Sequence, residues 1–224
     1  MTTPSPIASA SHASSARFAP RHVQLARAVA AAIAALMITF TPDHSAAVGL
    51  AVFSGFGILT ALVLLLAAWL TYGSGQRGMP ILLGVLALIA GMAAGVGPWR
   101  TDVTFYVVVI AWALTTGIAE VAWGWRGRRA VDAARDHLAI GILTLVLAAA
   151  LLVIPAGYSL EYTIEAAGTF TLTGTTIAVG VFGGYAAIVA VYLAIAGFSP
   201  RPSPSPSGDL GAGGEPAPRR EGSA

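Results

Sequence analysis

The stretch TDVTFYVVVIAWALTTGIAEVAWGWRGRRAVDAARD, residues 101–136, decides the fold. Its first part, Thr101–Trp125, is an apolar segment of 25 residues, which is long enough to cross a bilayer as a helix. One carboxylate, Glu120, lies within this span, and an arginine-rich loop follows it directly. Arginines that follow an apolar span mark its cytoplasmic end. The stretch therefore predicts a membrane-spanning helix of known direction with an acidic residue inside it.

The composition of the whole chain supports an integral membrane protein. Hydrophobic residues make up 56% of the 224 residues and charged residues 10%, and the mean hydropathy is +0.78. The net charge of +2 results from twelve basic residues against ten acidic ones. All twelve basic residues are arginines, and they cluster between apolar runs and in the tails. This distribution sets orientation and does not indicate a nucleic-acid partner. The absence of cysteine excludes disulfides and thiolate chemistry.

The order of apolar runs predicts an all-α membrane protein with six transmembrane helices arranged as three parallel-repeated hairpins. Pro42, Pro98 and Pro155 follow the first, third and fifth runs at separations of 56 and 57 residues, which indicates the repeat. The third hairpin has a longer outer connection, Tyr158–Thr171, for which we expect a short amphipathic or irregular cap. The predicted spans are 23–40, 46–72, 79–97, 101–125, 137–154 and 172–198.

Polar, low-complexity tails flank this predicted 17–198 domain. Residues 1–16 and the Pro/Ser/Gly-rich residues 199–224 are too polar to form a core and are predicted to be disordered and cytoplasmic. The first span has a basic start and a cleavage-like Ser45-x-Ala47, so a removable signal peptide is the alternative to a first helix.

The distribution of arginines predicts that both termini are cytoplasmic. With this orientation the outer turns hold only Arg100, and the loops on the inner side hold the topogenic residues Arg77, Arg126, Arg128, Arg129 and Arg135. The lack of lysine, together with abundant Ala, Arg, Gly and Pro, suggests a bacterial source, and hence the inner membrane.

Glycines four residues apart predict close helix packing. Gly91 and Gly95 form one such pair and Gly180 and Gly184 another, and either a contact within the chain or a dimer interface would use them. The segment Gly73–Gly78 matches the dinucleotide pattern G-x-G-x-x-G. Because that fingerprint requires a preceding strand, and this segment lies between two spans, we interpret it as a turn.

Three roles are open for Glu120. It lies five residues before Trp125, or roughly 7–8 Å along a helix, and so near the inner interface. It would pack or extend toward the interface, form an ion pair with Arg77, Arg126 or Arg129, or serve as a proton or ligand site. Arg27, in the first span, is expected to extend toward the headgroups.

No enzymatic site, metal site or cofactor site is predicted. His12, His22, His44 and His137 lie on different segments without ligand spacing, and no serine stands in a nucleophile motif. Asp136 is predicted to cap the fifth span. The lipid bilayer is the predicted partner, with a second copy or another membrane protein as further candidates.

Two segments resemble the HdeD-like family of short-repeat bacterial inner-membrane proteins. The first is IAWALTTGIAE, residues 110–120, with its arginine loop, and the second runs from RDHLAIGIL, residues 135–143, to Pro155. Gly184-Tyr185 resembles the glycine–tyrosine step of that family's last helix. The resemblance implies six inner-membrane helices and an acid-resistance role without defined biochemistry.

The sequence therefore favours a non-enzymatic multi-pass inner-membrane protein of the HdeD-like type with a role in envelope or acid-stress physiology. The alternatives are a small transporter or channel-like protein acting as an oligomer, and an accessory subunit of a membrane complex. A water-filled cavity that reaches Glu120 would favour transport.

Overall fold

A computed structural model describes residues 19–127, 133–165 and 168–199. The predicted disordered tails, apart from Ser199, lie outside these ranges, as do His12, Arg128 and Arg129. The described residues form six long helices, each apolar and long enough to cross a membrane, which confirms the predicted fold class. They are α1 Pro20–Phe40, α2 Ala46–Leu70, α3 Gly78–Gly95, α4 Asp102–Gly127, α5 Ala133–Val153 and α6 Gly174–Phe198.

Hydroxyl side chains begin three of the helices. Ser45 accepts a hydrogen bond from the backbone N of Val48 at the start of α2, and Thr173 accepts one from Thr176 at the start of α6. Thr101 does the same for Thr104 at the start of α4. The predicted cap of the fifth helix is wrong. α5 begins at Ala133, so Asp136 lies in its first turn and its carboxylate is used elsewhere.

The helices alternate in direction through short connections. α2, α4 and α6 meet near their starts. Gly49 of α2 lies against Phe105 of α4 and Val179 of α6, and a Cβ added to Gly49 would stand within 3 Å of both side chains. At the opposite end, Gly197 near the end of α6 lies against Leu25 near the start of α1. Two ends of the bundle follow from this alternation. The proline end carries Pro42, Pro98 and Pro155, and the arginine end carries Arg21, Arg77, Arg126 and Arg135.

The closest helix pairs differ from the predicted hairpins. The most extensive contacts join α2 to α3, α4 to α5 and α1 to α6, whereas the hairpins α1–α2, α3–α4 and α5–α6 are adjacent but less tightly packed. Glycines explain why these helices pack so closely. In the α2–α3 pair, a Cβ added to Gly91 would stand 2.9 Å from the backbone N of Ile58. In the α4–α5 pair, a Cβ added to Gly124 would stand 2.7 Å from the carbonyl O of Ala134. Small residues let the backbones approach in lipid.

The two predicted glycine pairs have different surroundings. Gly91 and Gly95 face Ser54 and Ile58 of α2, within the chain. Gly180 and Gly184 do not pack on another helix of the described chain, since no described atom lies within 4 Å of a Cβ built on either. The contact on α6 is made instead by Gly183, one position away from the pair, whose Cβ would meet Ile38 at 2.6 Å.

Aromatic rings fill the centre of the bundle. The Trp112 ring meets Phe53 at 5.2 Å and Phe56 at 5.7 Å between centroids, both edge to face. Phe182 meets Phe53 at 5.5 Å, and Tyr185 meets Trp112 at 6.2 Å. Trp112 is 7% exposed, so it is a core residue and does not face lipid.

The sequence predicts a short amphipathic or irregular cap between α5 and α6, and the structure has a two-stranded β-hairpin there. The strands β1 Ser159–Ile164 and β2 Gly168–Thr173 pair antiparallel, and Gly168 has a φ of 100°. Glycine adopts this left-handed conformation without strain. The sixth helix consequently begins at Gly174, two residues later than predicted.

Candidate functional site

Glu120 lies inside the bundle and is 2% exposed. It stands seven residues before the end of α4, or about 10 Å along the helix. The backbone of α5 approaches closely here, since a Cβ on Gly141 would stand 3.0 Å from the Cβ of Glu120. The carboxylate is therefore near the arginine end in depth, as the sequence predicts, but it is enclosed by helices and does not face the interface.

An arginine and a histidine from two other helices contact the same carboxylate oxygen. Arg27 Nη2, on α1, lies 3.4 Å from Glu120 Oε1, and His137 Nδ1, on α5, lies 3.7 Å from it. The Arg27 side chain is 15% exposed and that of Glu120 is 3% exposed. We call these three residues the charge cluster. It links α1, α4 and α5 through one buried oxygen atom.

The predicted ion-pair partners of Glu120 are not the ones found. Arg77 donates from Nε to the carbonyl O of Tyr72 at 2.9 Å and lies over the Trp69 ring, while Arg126 lies at the exposed end of α4. Arg129 lies outside the described residues. Arg27 takes this role instead of extending to the headgroups. Pairing inside the bundle offsets the large cost of placing either charge alone in a low-dielectric interior.

A small cavity of ≈ 30 Å³ adjoins the cluster. A water molecule requires roughly 10–15 Å³, so the cavity has room for about one or two waters and for no larger solute. Its apolar walls include Phe56, Leu83 and Val189. Its polar lining is contributed by five helices and consists of Arg27, Thr60, Trp112, Thr116, Glu120, Thr144 and Tyr185.

Some polar groups of this lining are paired with each other or with the backbone. Thr144 Oγ1 lies 2.9 Å from the hydroxyl of Tyr185 and 2.8 Å from the carbonyl O of Ile140. Thr116 donates to the carbonyl O of Trp112 at 2.6 Å. Thr60 Oγ1 and Trp112 Nε1 are buried and make no hydrogen bond with a described residue. Such a lining offers a water molecule both donors and acceptors.

A second polar contact lies next to the charge cluster. Gln24 Nε2 donates to Asp136 Oδ2 at 2.6 Å, and the Tyr192 hydroxyl donates to Asp136 Oδ1 at 3.3 Å. Gln24 precedes Arg27 by three residues on α1, so both side chains project from the same face of that helix. α1 is thus held at this end by carboxylates from α4 and α5.

His137 lies between Glu120 and an open pocket at the arginine end. This pocket has a volume of ≈ 400 Å³ and is lined by the ends of α3, α4 and α5 and by the α2–α3 connection, with Tyr72, Met79, Trp123 and Arg126 among its lining residues. His137 lines it too, and its side chain is 24% exposed. Its imidazole therefore borders both the open pocket and the buried carboxylate of Glu120.

Three further sequence features have simple structural surroundings. Among the described residues, no group of three or more His, Asp or Glu side chains is placed to hold a metal ion. His44 lies in the α1–α2 turn, with Nδ1 3.4 Å from the carbonyl O of Pro42. The segment Gly73–Gly78 forms a 3₁₀ turn at Ser74–Gln76 between α2 and α3, and therefore lacks the preceding strand of a dinucleotide fingerprint.

The pairing of Arg27 with Glu120 was not predicted from the sequence, although a signal for it exists. Arg27 stands seven residues after the start of α1, and Glu120 stands seven residues before the end of α4. Because both helix ends lie at the arginine end, the two opposite charges are at the same depth. Equal depth and opposite charge in two spans would have predicted the pair.

Comparison of the chain with protein-family models, with curated proteins and with solved structures gave no match.

Proposed function

We propose that this chain is a non-enzymatic multi-pass protein of the bacterial inner membrane, of the HdeD-like type, and that it responds to protons during acid stress. The observation that carries the proposal is the contact of Arg27 and His137 with one buried oxygen of Glu120. The location of both termini in the cytoplasm is part of the proposal and is supported by the arginines at the arginine end.

The charge cluster offers a physical mechanism for such a response. Histidine is the side-chain type that gains a proton under mild acid. A protonated His137 would compete with Arg27 for Glu120 Oε1, drawing the carboxylate toward α5 and weakening its tie to α1. The charged or titratable side chains that face Glu120 are Arg27 from α1, His137 from α5 and, more distantly, Tyr185 from α6. Acid would thus loosen α1 from α4 at the arginine end.

Intrinsic tryptophan fluorescence tests this mechanism, because Trp112 lines the cavity and Trp123 lines the open pocket. The purified protein in lipid nanodiscs is titrated from pH 7.5 to pH 5.5. We expect the emission of the wild type to change over this range, and the change to be lost in Glu120→Gln and His137→Gln. His44→Gln is the matched control, since His44 lies in an exposed turn at the proline end, and it should keep the change.

The acid-stress role is tested separately by survival. A bacterial host that is sensitive to acid is given the wild type, Glu120→Gln or His44→Gln at equal expression levels. We expect the wild type and His44→Gln to raise survival at low pH and Glu120→Gln to fail. Equal protection by all three would overturn the role of the cluster. Equal failure of all three would overturn the acid-stress role.

Proton or water conduction is the second candidate function, and the polar cavity next to Glu120 favours it. The cavity volume of ≈ 30 Å³ is too small for a solute. Proteoliposomes that contain a pH-sensitive dye measure proton entry directly. If the protein conducts protons, the rate of proton entry is higher than in empty liposomes, and Glu120→Gln lowers it to the rate of empty liposomes. A rate equal to that of empty liposomes would exclude it.

Association with a second copy or with another membrane protein is a further part of the proposal. It is supported by Gly180 and Gly184, which face away from the described chain. Native mass spectrometry of the protein released from nanodiscs distinguishes a monomer, a homo-oligomer and a complex with a stoichiometric partner.

A further inference from the structure

The β-hairpin places apolar and polar side chains on opposite faces. Its register pairs Leu160 with Leu172, Tyr162 with Phe170 and Ile164 with Gly168. Because side chains alternate along a strand, these residues share one face. The other face carries the pairs Ser159–Thr173, Glu161–Thr171 and Thr163–Thr169. We call Leu160, Tyr162, Ile164, Phe170 and Leu172 the apolar hairpin face.

The apolar hairpin face is largely uncovered in the chain itself. Leu160 is 48% exposed, Tyr162 44%, Ile164 49% and Phe170 43%. The Tyr162 and Phe170 rings stack with centroids 5.9 Å apart, which keeps the face continuous. A two-stranded hairpin is only marginally stable in water, so a covering of this face would stabilise it considerably.

The hairpin is joined directly to the ends of two candidate membrane spans. Val153 ends α5 shortly before β1 begins, and Thr173, the last residue of β2, caps α6. The backbone N of Gly174 donates to the carbonyl O of Tyr158 at 2.8 Å, which ties the base of the hairpin to the start of α6. Val153 is 80% exposed and Leu152 is 64% exposed. The lipid-facing surface of α5 therefore runs up to the hairpin.

We propose that the apolar hairpin face lies on the lipid of the bilayer surface at the proline end of the bundle. Tyrosine and other aromatic residues are favoured at this level of a membrane, and Glu161 and Glu165 would face water. A second copy is the less suitable occupant. Five side chains form a much smaller contact than the roughly 20–30 residues per partner of a stable protein interface.

Site-directed spin labelling tests the proposal, because the chain has no cysteine and every introduced cysteine is unique. Tyr162→Cys and Phe170→Cys report on the apolar face, and their neighbours Thr163→Cys and Thr171→Cys report on the polar face. Val146→Cys, on the exposed side of α5, is the lipid reference. Each labelled full-length protein is reconstituted into phosphatidylethanolamine–phosphatidylglycerol vesicles. Collisions with oxygen, which partitions into lipid, and with a water-soluble nickel chelate are then compared.

We expect the ratio of oxygen to nickel collisions at positions 162 and 170 to approach that at position 146. The ratio at 162 and 170 should be several-fold higher than at positions 163 and 171. Equal access of nickel at all four hairpin positions would show that the face is open to water and would overturn the proposal. Low access of both reagents at 162 and 170 would show that protein covers the face and would also overturn it. Spin–spin broadening in that case would identify the cover as a second copy.

Discussion

Arg27 and Glu120 lie 93 positions apart in the chain and meet through Arg27 Nη2 and Glu120 Oε1 at 3.4 Å inside the helical bundle. α1 packs most extensively on α6, and α4 packs most extensively on α5. The ion pair therefore joins two helices that belong to different close pairs. It holds them together near the arginine end, where His137 contacts the same carboxylate oxygen.

Replacing Arg27 with Gln should destabilise the protein strongly. Glu120 would keep its burial but lose its cation, and breaking a buried ion pair by removing one partner costs about 3 kcal/mol or more. Thermal unfolding in mild detergent measures the loss. Arg21→Gln is the control, since Arg21 is exposed on the first turn of the same helix. Equal melting temperatures for the two variants would contradict a stabilising role for the pair.

Gly91→Val should disrupt the contact of α2 with α3. The new Cβ would stand 2.9 Å from the backbone N of Ile58 and 3.1 Å from the carbonyl O of Ser54, and backbone cannot move aside as a side chain can. Overpacking of this kind costs about 1–3 kcal/mol. Gly180→Val introduces the same side chain where no described atom lies within 4 Å, so its melting temperature in detergent should stay close to that of the wild type. Equal losses in both would indicate that Gly180 also lies in a contact.

Thr144→Val should weaken the attachment of α5 to α6. Val has nearly the same shape as Thr, so the change removes the hydrogen bond of 2.9 Å to the Tyr185 hydroxyl and the one to the carbonyl O of Ile140 in the same helix. The expected loss of stability is about 1–2 kcal/mol. Thr115→Val is the matched control, because Thr115 is exposed and bonds the carbonyl O of Ala111 in its own helix. Chemical or thermal unfolding should show a loss for Thr144→Val alone, and a wild-type stability for this variant would contradict the account.

The sequence predicts the spans well because their length and hydropathy are local properties. Helix boundaries agree within a few residues, except at α5, where Asp136 is an attractive cap but lies within the first turn. Its carboxylate bonds Gln24 and Tyr192 instead. Those partners belong to α1 and α6. Because they are distant in the chain, the sequence around Asp136 carries no information about them.

The choice of helix neighbours and helix faces is set by the whole bundle and was predicted less well. Proline spacing indicates hairpins, yet the closest packing joins helices through their glycines across the other connections. On α6 the face that packs on another helix contains Gly183, which contacts Ile38, and not its neighbour Gly184. The polarity of residues 158–171 indicates a surface connection, whereas its strands are indicated by the alternation of Leu160, Tyr162 and Ile164 with polar residues.

The most direct test of the central claim is a double-mutant cycle for Arg27 and Glu120, measured at two pH values. The stabilities of the wild type, Arg27→Gln, Glu120→Gln and the double variant give the coupling free energy of the pair. We predict a coupling of about 2 kcal/mol at pH 7.5 and a clearly smaller one at pH 5.5, where protonated His137 competes for Oε1. In a His137→Gln background the coupling should be the same at both pH values. A coupling near zero at pH 7.5, or one that does not change with pH when His137 is present, would contradict the account.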